Sequence, residues 1–215
     1  MKTTMLALLL LALAPGTAMA DKPGDKAANE LVSAARSQIG VTLRYDPRYE
    51  KLAYPNGDVP LERGVCTDVV IRAYRVLGTD LQALVHEDMR RSWSAYPKAW
   101  GLKGPDRNID HRRVPNLQTY LQRQGAALTP SRDALAYQAG DIVTWRLPPN
   151  LPHIGIVSDQ RSPTGTPLII HNIGAGTRME DMLFSSPVTG HYRWRGASAS
   201  RSARLPSDNR SGTRP

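Results

Sequence analysis

The hydrophobic periodicity of the chain changes once, near residue 139, and this change limits the possible folds more than any other feature. Before it, apolar residues recur at helical spacing in four segments, residues 27–38, 66–77, 81–93 and 114–124. After it, short apolar runs bounded by Gly, Pro, Asn or Asp predict four strands, residues 141–145, 153–157, 167–171 and 191–194. Helices followed by strands indicate an α+β domain in which the helices pack on an antiparallel sheet.

The first twenty residues have the pattern of a secretory signal peptide. Lys2 precedes an apolar run over 5–14 and a small-x-small cleavage pattern at 18–20. Ten apolar residues are too few to cross a bilayer, which needs about 20. We therefore expect residues 1–20 to be removed, and a periplasmic or secreted domain at 21–195 without an integral membrane segment. The alternative is a poorly buried N-terminal helix.

The last twenty residues, 196–215, are rich in Ser, Arg, Gly and Pro and predict a disordered basic tail. The whole chain carries a net charge of +9. The tail holds four Arg and one Asp. In an exported protein such a basic tail favours loose attraction to peptidoglycan or another anionic envelope polymer over binding to nucleic acid. A solvated tail without a role is the alternative.

Cys66 is the only cysteine of the chain. A single cysteine excludes an internal disulfide framework and a zinc site made of several cysteines, and we predict neither a metal site nor a cofactor. Cys66 begins the second predicted helix, where free amides and the helix dipole favour a thiolate. Such a cysteine is either buried and inert or retained for its reactivity.

Two histidines are candidates for the base that a cysteine nucleophile needs. His153 begins one predicted strand and His171 ends the next. If these strands pair as a hairpin, both histidines lie at the same end of the sheet. The helix of Cys66, packed across that end, would then complete a nucleophile, a base and an orienting group. The alternative is that both are ordinary strand-end residues.

Four motifs, in this order, resemble those of the NlpC-type cell-wall peptidases, which have a papain-like fold. They are residues 64–70 (GVCTDVV), 139–145 (AGDIVTW), 153–157 (HIGIV) and 169–172 (IIHN). Longer stretches are similar to a family of mostly exported bacterial proteins, domain-of-unknown-function family 1287, over about residues 27–195. Among them are GDVP at 57–60, VHEDM at 85–89 and NIDHRRVPNL at 108–117.

The resemblance to the peptidases implies that Cys66 is the nucleophile and His153 the general base. His171 stands where those enzymes place the residue that orients the base, and Asn172 replaces it if the strand register slips by one. The peptidases also have a tyrosine that helps to hold the oxyanion. Both Tyr45 and Tyr54 are candidates for that role.

The cysteine motif departs from that of the peptidases, which usually read Asp-Cys-Ser-Gly where this chain reads Val-Cys-Thr-Asp. Asp68 is therefore a candidate for shaping the site. Arg112 and Arg113 are candidates for binding the carboxylates of a peptidoglycan stem peptide, because an arginine fork matches a carboxylate. The alternative is that this charged segment holds a loop through ion pairs.

The resemblance thus implies an exported cysteine hydrolase that cleaves an amide bond, most simply in peptidoglycan stem peptides, through a Cys-His-His or Cys-His-Asn triad. A thiol acyltransferase or thioesterase acting on another envelope substrate would use the same triad. A non-catalytic envelope-binding protein, with Cys66 as a core residue, is the alternative from a different class.

Overall fold

A computed structural model describes residues 23–196 of the chain. The predicted signal peptide and all but the first residue of the predicted tail lie outside this range. None of the helices between residues 23 and 196 is both long enough and apolar enough to cross a membrane. The α-helices are α1 (Pro23–Arg36), α2 (Cys66–Val76), α3 (Leu81–Arg91) and α4 (Val114–Arg123).

The strands are β1 (Arg44–Tyr45), β2 (Arg63–Gly64), β3 (Ala127–Leu128), β4 (Ile142–Leu147), β5 (Leu151–Arg161), β6 (Pro167–Asn172), β7 (Thr177–Glu180) and β8 (Val188–Tyr192). Six of them form an antiparallel sheet with strand order β3-β8-β4-β5-β6-β7. A separate pair of two-residue strands, β1 and β2, is parallel.

Both faces of the sheet are buried. On one face four isoleucines of β4, β5 and β6 pack with apolar side chains of α1 and α2, among them Leu31 and Val69; they are Ile142, Ile154, Ile156 and Ile170. On the other face Trp145 and Val157 belong to a smaller cluster with Leu183. His153 pairs with Trp145 across the β4–β5 ladder, and their ring centroids are 5.9 Å apart. The long β5 therefore brings a histidine to the rim of a packed core.

The predicted α+β order, with helices first and an antiparallel sheet after them, is confirmed, and the predicted hairpin of the second and third strands is β5–β6. The turn between these strands is shorter than the predicted 158–166, because β5 continues to Arg161 through polar residues that carry no apolar signal. The fourth predicted strand lies at Val188–Tyr192 instead of 191–194. The short strands β1, β2, β3 and β7 were not predicted.

Candidate active site

Cys66 is the first residue of α2, and the residues around it explain why the helix begins there. Val65 is extended, with φ −113° and ψ −179°. The Val65 N–H donates to the Asp68 carboxylate at 2.6 Å, and the Asp68 N–H donates to the Val65 carbonyl at 3.1 Å. This reciprocal pair satisfies amide groups that a helix start leaves without partners. It also fixes the backbone on both sides of the thiol.

Arg72 anchors the loop that leads to Cys66. The Arg72 guanidinium donates to both carboxylate oxygens of Asp58 and to the carbonyls of Val59 and Arg63. Gly64 allows this close packing, since a Cβ there would lie 2.9 Å from Asp68 Oδ2 and 3.3 Å from Arg72 Nη1. The long segment before the helix is therefore rigidly tied to it, although it has little regular structure.

The Cys66 thiol is enclosed, with 2% of the residue exposed. Burial raises the pKa of the Cys66 thiol to about 11, against the opposing effect of hydrogen bonds from the N–H groups of Ile154 and Thr67 and from the Tyr45 hydroxyl. The expectation that the helix start favours a thiolate is therefore wrong for the resting protein. Loss of hydration outweighs the helix dipole, and the thiol is neutral at pH 7.

His153 and His171 are joined directly. The Nε2 atom of His153 lies 2.9 Å from the Nδ1 atom of His171. Gly155, on β5, makes this contact possible, because a Cβ at Gly155 would lie 3.1 Å from the Cβ of His171 and 2.6 Å from Ile169 Cγ2. His171 thus occupies the space that a side chain on Gly155 would need, and its ring reaches His153 diagonally across the ladder.

Glu180, which the sequence did not single out, extends this pair. Its Oε2 atom lies 3.0 Å from His171 Nε2. Burial and, to a smaller extent, the neighbouring His171 together lower the pKa of His153 to about 3. Burial also lowers the pKa of His171, while Glu180 acts in the opposite direction. Both rings are therefore neutral at pH 7, and a neutral imidazole can accept a proton.

Asn172 is not placed to orient His153. Its Nδ2 atom donates to the carbonyls of Gly64 (3.1 Å) and Arg44 (3.4 Å), and its Oδ1 accepts from the Gly174 N–H. Successive residues of a strand point to opposite faces, so His171 reaches the other histidine while Asn172 reaches the loop before Cys66. Asn172 therefore ties β6 to β1 and β2.

The two candidate tyrosines lie in different places. Tyr45 is beside the Cys66 sulfur, and burial together with Cys66 raises the pKa of its phenol. Tyr54 instead packs against His86, with ring centroids 5.4 Å apart, and Arg107 lies over its ring. The structure therefore brings Tyr45, and not Tyr54, to Cys66.

Arg112 is engaged within the protein, contrary to its suggested role in binding a substrate. Its Nε and Nη2 atoms donate to the two carboxylate oxygens of Asp68, both at 2.9 Å, and the side chains are 2% and 4% exposed. This fork has no donor pair left for another carboxylate. The alternative of a charge pair that holds the loop is the one observed for Arg112.

Arg113 lines a cleft whose other lining residues include Tyr45, Cys66, Trp100, Arg112 and Pro152. Its guanidinium lies 4.2 Å from the centre of the Trp100 ring, and its Nη1 atom is 3.5 Å from Asp110 Oδ1. The cleft measures about 170 Å³. Pockets that enclose a small molecule measure about 300–1,000 Å³, so the cleft is small for an enclosed ligand.

The profile of the family described as "Domain of unknown function (DUF1287)" matches residues 32–194. The chain belongs to the DUF1287 family. The matched range includes the whole site from Tyr45 to Glu180. A relative from Escherichia coli strain K12, "Uncharacterized protein YijF", is 58% identical over 164 residues, which cover 76% of this chain and 80% of the relative.

Among solved structures, "Structure of NlpC1 from Trichomonas vaginalis" resembles this DUF1287 chain with a TM-score of 0.40 and 15% identity. The match covers 81% of this chain and spans about 45% of the length of NlpC1. Within residues 23–196 of the DUF1287 chain, no three His, Cys, Asp or Glu side chains are grouped so that they could hold a metal ion.

Proposed function

We propose that this DUF1287 protein is an exported cysteine hydrolase with a papain-like arrangement, which cleaves an amide bond in peptidoglycan stem peptides. One observation carries the proposal: two neutral histidines are joined at 2.9 Å, and one of them directly precedes the residue whose N–H bonds the sulfur of a cysteine at a helix start. The Ile154 N–H, which follows His153 in the chain, is directed at the Cys66 sulfur. A nucleophile, a base and a group that orients the base are the parts that covalent acyl transfer requires.

In the proposed reaction, His153 takes the proton of Cys66 as the sulfur attacks the amide carbonyl. The thiol is neutral at rest, so proton transfer accompanies attack rather than preceding it. The Cys66 N–H at the start of α2 and the Tyr45 hydroxyl stabilise the negative charge on the carbonyl oxygen. His153 then gives the proton to the leaving amine, and the C–N bond breaks. Water, deprotonated by His153, releases the acyl group from the sulfur.

The cleft favours a peptide that carries a carboxylate. Arg113 lines the cleft with the nucleophile, and a guanidinium that stacks on an indole retains N–H groups along its edge. Peptidoglycan stem peptides are extended chains with free carboxylates. The small cleft could bind such a chain across the surface without enclosing it.

Mass spectrometry of peptidoglycan after incubation with the protein tests the proposal. We expect new fragments with the unaltered protein, and none with Cys66→Ala or His153→Ala. His86→Ala is the matched control, because His86 contacts Tyr54 rather than the cysteine. The masses of the fragments would identify the bond. Fragments that persist in Cys66→Ala would contradict the mechanism.

The enclosure of Cys66 favours a second candidate, a non-catalytic protein that binds an envelope polymer and uses Cys66 as a core residue. Sedimentation with insoluble peptidoglycan separates the two functions. A binding protein would sediment equally well as the unaltered chain and as Cys66→Ala, and neither would release fragments.

A further inference from the structure

Three polar side chains lie in a row across three neighbouring strands. His153 on β5 contacts His171 on β6, and His171 contacts Glu180 on β7, with distances of 2.9 and 3.0 Å. In the β6–β7 ladder Glu180 is the partner of Ile169, so it lies diagonally from His171 on the same face. The side chain of Glu180 is 41% exposed, whereas that of His171 is 1% exposed. The row therefore runs from solvent into the buried site.

The carboxylate at the outer end determines where the protons of the row lie. An ionised carboxylate can only accept a hydrogen bond, so the Nε2 atom of His171 carries the hydrogen that Glu180 receives. A neutral imidazole has one N–H, which leaves the Nδ1 atom of His171 as an acceptor. The Nε2 atom of His153 must then donate to it. The Nδ1 atom of His153 is left without a hydrogen.

We infer that Glu180 is a positioning residue, which acts through His171 to hold His153 in the one tautomer whose Nδ1 atom can accept the Cys66 proton. The catalytic use of this tautomer rests on the proposed function. The positions of the ring hydrogens do not, since they depend only on the contacts among the three side chains. With the opposite tautomer, the hydrogen on Nδ1 would block proton transfer from the thiol. A wrong histidine tautomer can remove most of the activity of an enzyme even when the geometry is intact.

Nitrogen-15 NMR of the full chain with labelled histidine tests the inference, because protonated and bare ring nitrogens have different chemical shifts. We expect His153 and His171 in the unaltered protein to carry hydrogen on Nε2 and none on Nδ1. Glu180→Ala removes the acceptor and should give a mixture of tautomers in both rings. Glu180→Gln retains a carbonyl oxygen that can accept the same hydrogen bond, and should restore the original pattern.

Glu180→Lys provides a sharper test, since an ammonium group can only donate. It should make His171 Nε2 an acceptor and so move the hydrogen to Nδ1 in both rings. Asp181→Ala is the matched control, because it removes the same charge one residue away at an exposed position and should leave the spectrum unchanged. A spectrum of Glu180→Ala or Glu180→Lys identical to that of the unaltered protein would overturn the inference.

Activity measurements separate this inference from the proposed function. If the unaltered protein releases peptidoglycan fragments, we expect Glu180→Ala to lower kcat about 10²-fold, since a displaced catalytic group costs about that much. Asp181→Ala should remain within about twofold. If the unaltered protein releases no fragments while the tautomers change as expected, the proposed function fails and the role of Glu180 in setting the tautomers stands.

Discussion

The side chain of His171 occupies the space beside Gly155 that a side chain on Gly155 would need. A Cβ on Gly155 would lie 3.1 Å from the Cβ of His171, and 2.6 Å from Ile169 Cγ2. Such contacts are too short to keep without movement. The absence of a side chain at one position of β5 is therefore a condition for the contact between the two histidines of the site.

Gly155→Ala should accordingly displace His171 or Ile169. We expect a loss of about 1–3 kcal/mol in the free energy of unfolding, as for other overpacked cores, together with a fall in turnover. Gly104→Ala is the control, because no atom lies within 4 Å of a Cβ there. Urea unfolding of both variants measures the difference. Equal stability of Gly155→Ala and the unaltered protein would contradict the packing argument.

Tyr45→Phe should impair catalysis while Tyr54→Phe should not. The Tyr45 hydroxyl lies beside the Cys66 sulfur, and Tyr54 packs on His86. Loss of one donor to an oxyanion costs about 10²–10³-fold in kcat, and we expect an effect of about 10²-fold for Tyr45→Phe. Initial rates of fragment release provide the comparison. An equal effect of both substitutions would remove Tyr45 from the mechanism.

Arg113→Gln should weaken substrate binding with little change in the chemical step. A hydrogen bond to a charged group contributes about 1.5–3 kcal/mol, so KM should rise about tenfold or more while kcat stays nearly constant. Arg91→Gln is the control, since Arg91 is 67% exposed on α3 and pairs with Glu87. A fall in kcat at unchanged KM would place Arg113 in the chemical step instead.

Burial of His153 should make the protein less stable in acid. Its pKa is lowered to about 3 in the native state from 6.5, so the unfolded chain binds a proton that the native protein does not. The stabilisation is complete above about pH 6.5 and is lost as the pH falls towards 3.

The slope of the unfolding free energy against pH measures this effect. Between pH 4.5 and 5.5, His153→Gln should reduce the slope by about 1.4 kcal/mol per pH unit. His111 is a second buried histidine with a pKa lowered to about 3, and His111→Gln should give a similar reduction. An unchanged slope in His153→Gln would mean that His153 already binds its proton in the native protein.

Helical and strand periodicity predict most of the fold. All four long helices and the β5–β6 hairpin follow from the spacing of apolar residues, because that spacing is the direct result of burying one face. The shorter β7 (Thr177–Glu180) gives no such signal, since its burial pattern does not alternate. Glu180 was missed for the same reason.

The sequence predicts the candidate site less well where the site depends on contacts between residues far apart in the chain. Arg112 and Asp68 are 44 residues apart, and only the folded chain shows that each satisfies the other. The segment that contains both Tyr45 and Tyr54 has no periodic pattern, so spacing alone cannot choose between them. The helix start at Cys66 is visible in the sequence, but the burial that opposes its effect on the thiol depends on the whole fold.

The enclosure of Cys66 has a consequence for the survival of the protein among oxidants. Peroxides attack a thiolate, and an accessible sulfur is the one most readily converted to irreversible acids. Cys66 is a neutral thiol rather than a thiolate, and only 2% of the residue is exposed, so its sulfur is neither charged nor readily accessible to a peroxide. The only cysteine of the chain is thus protected at rest, and in the proposed mechanism its nucleophilicity develops only when a bound substrate and His153 draw its proton away.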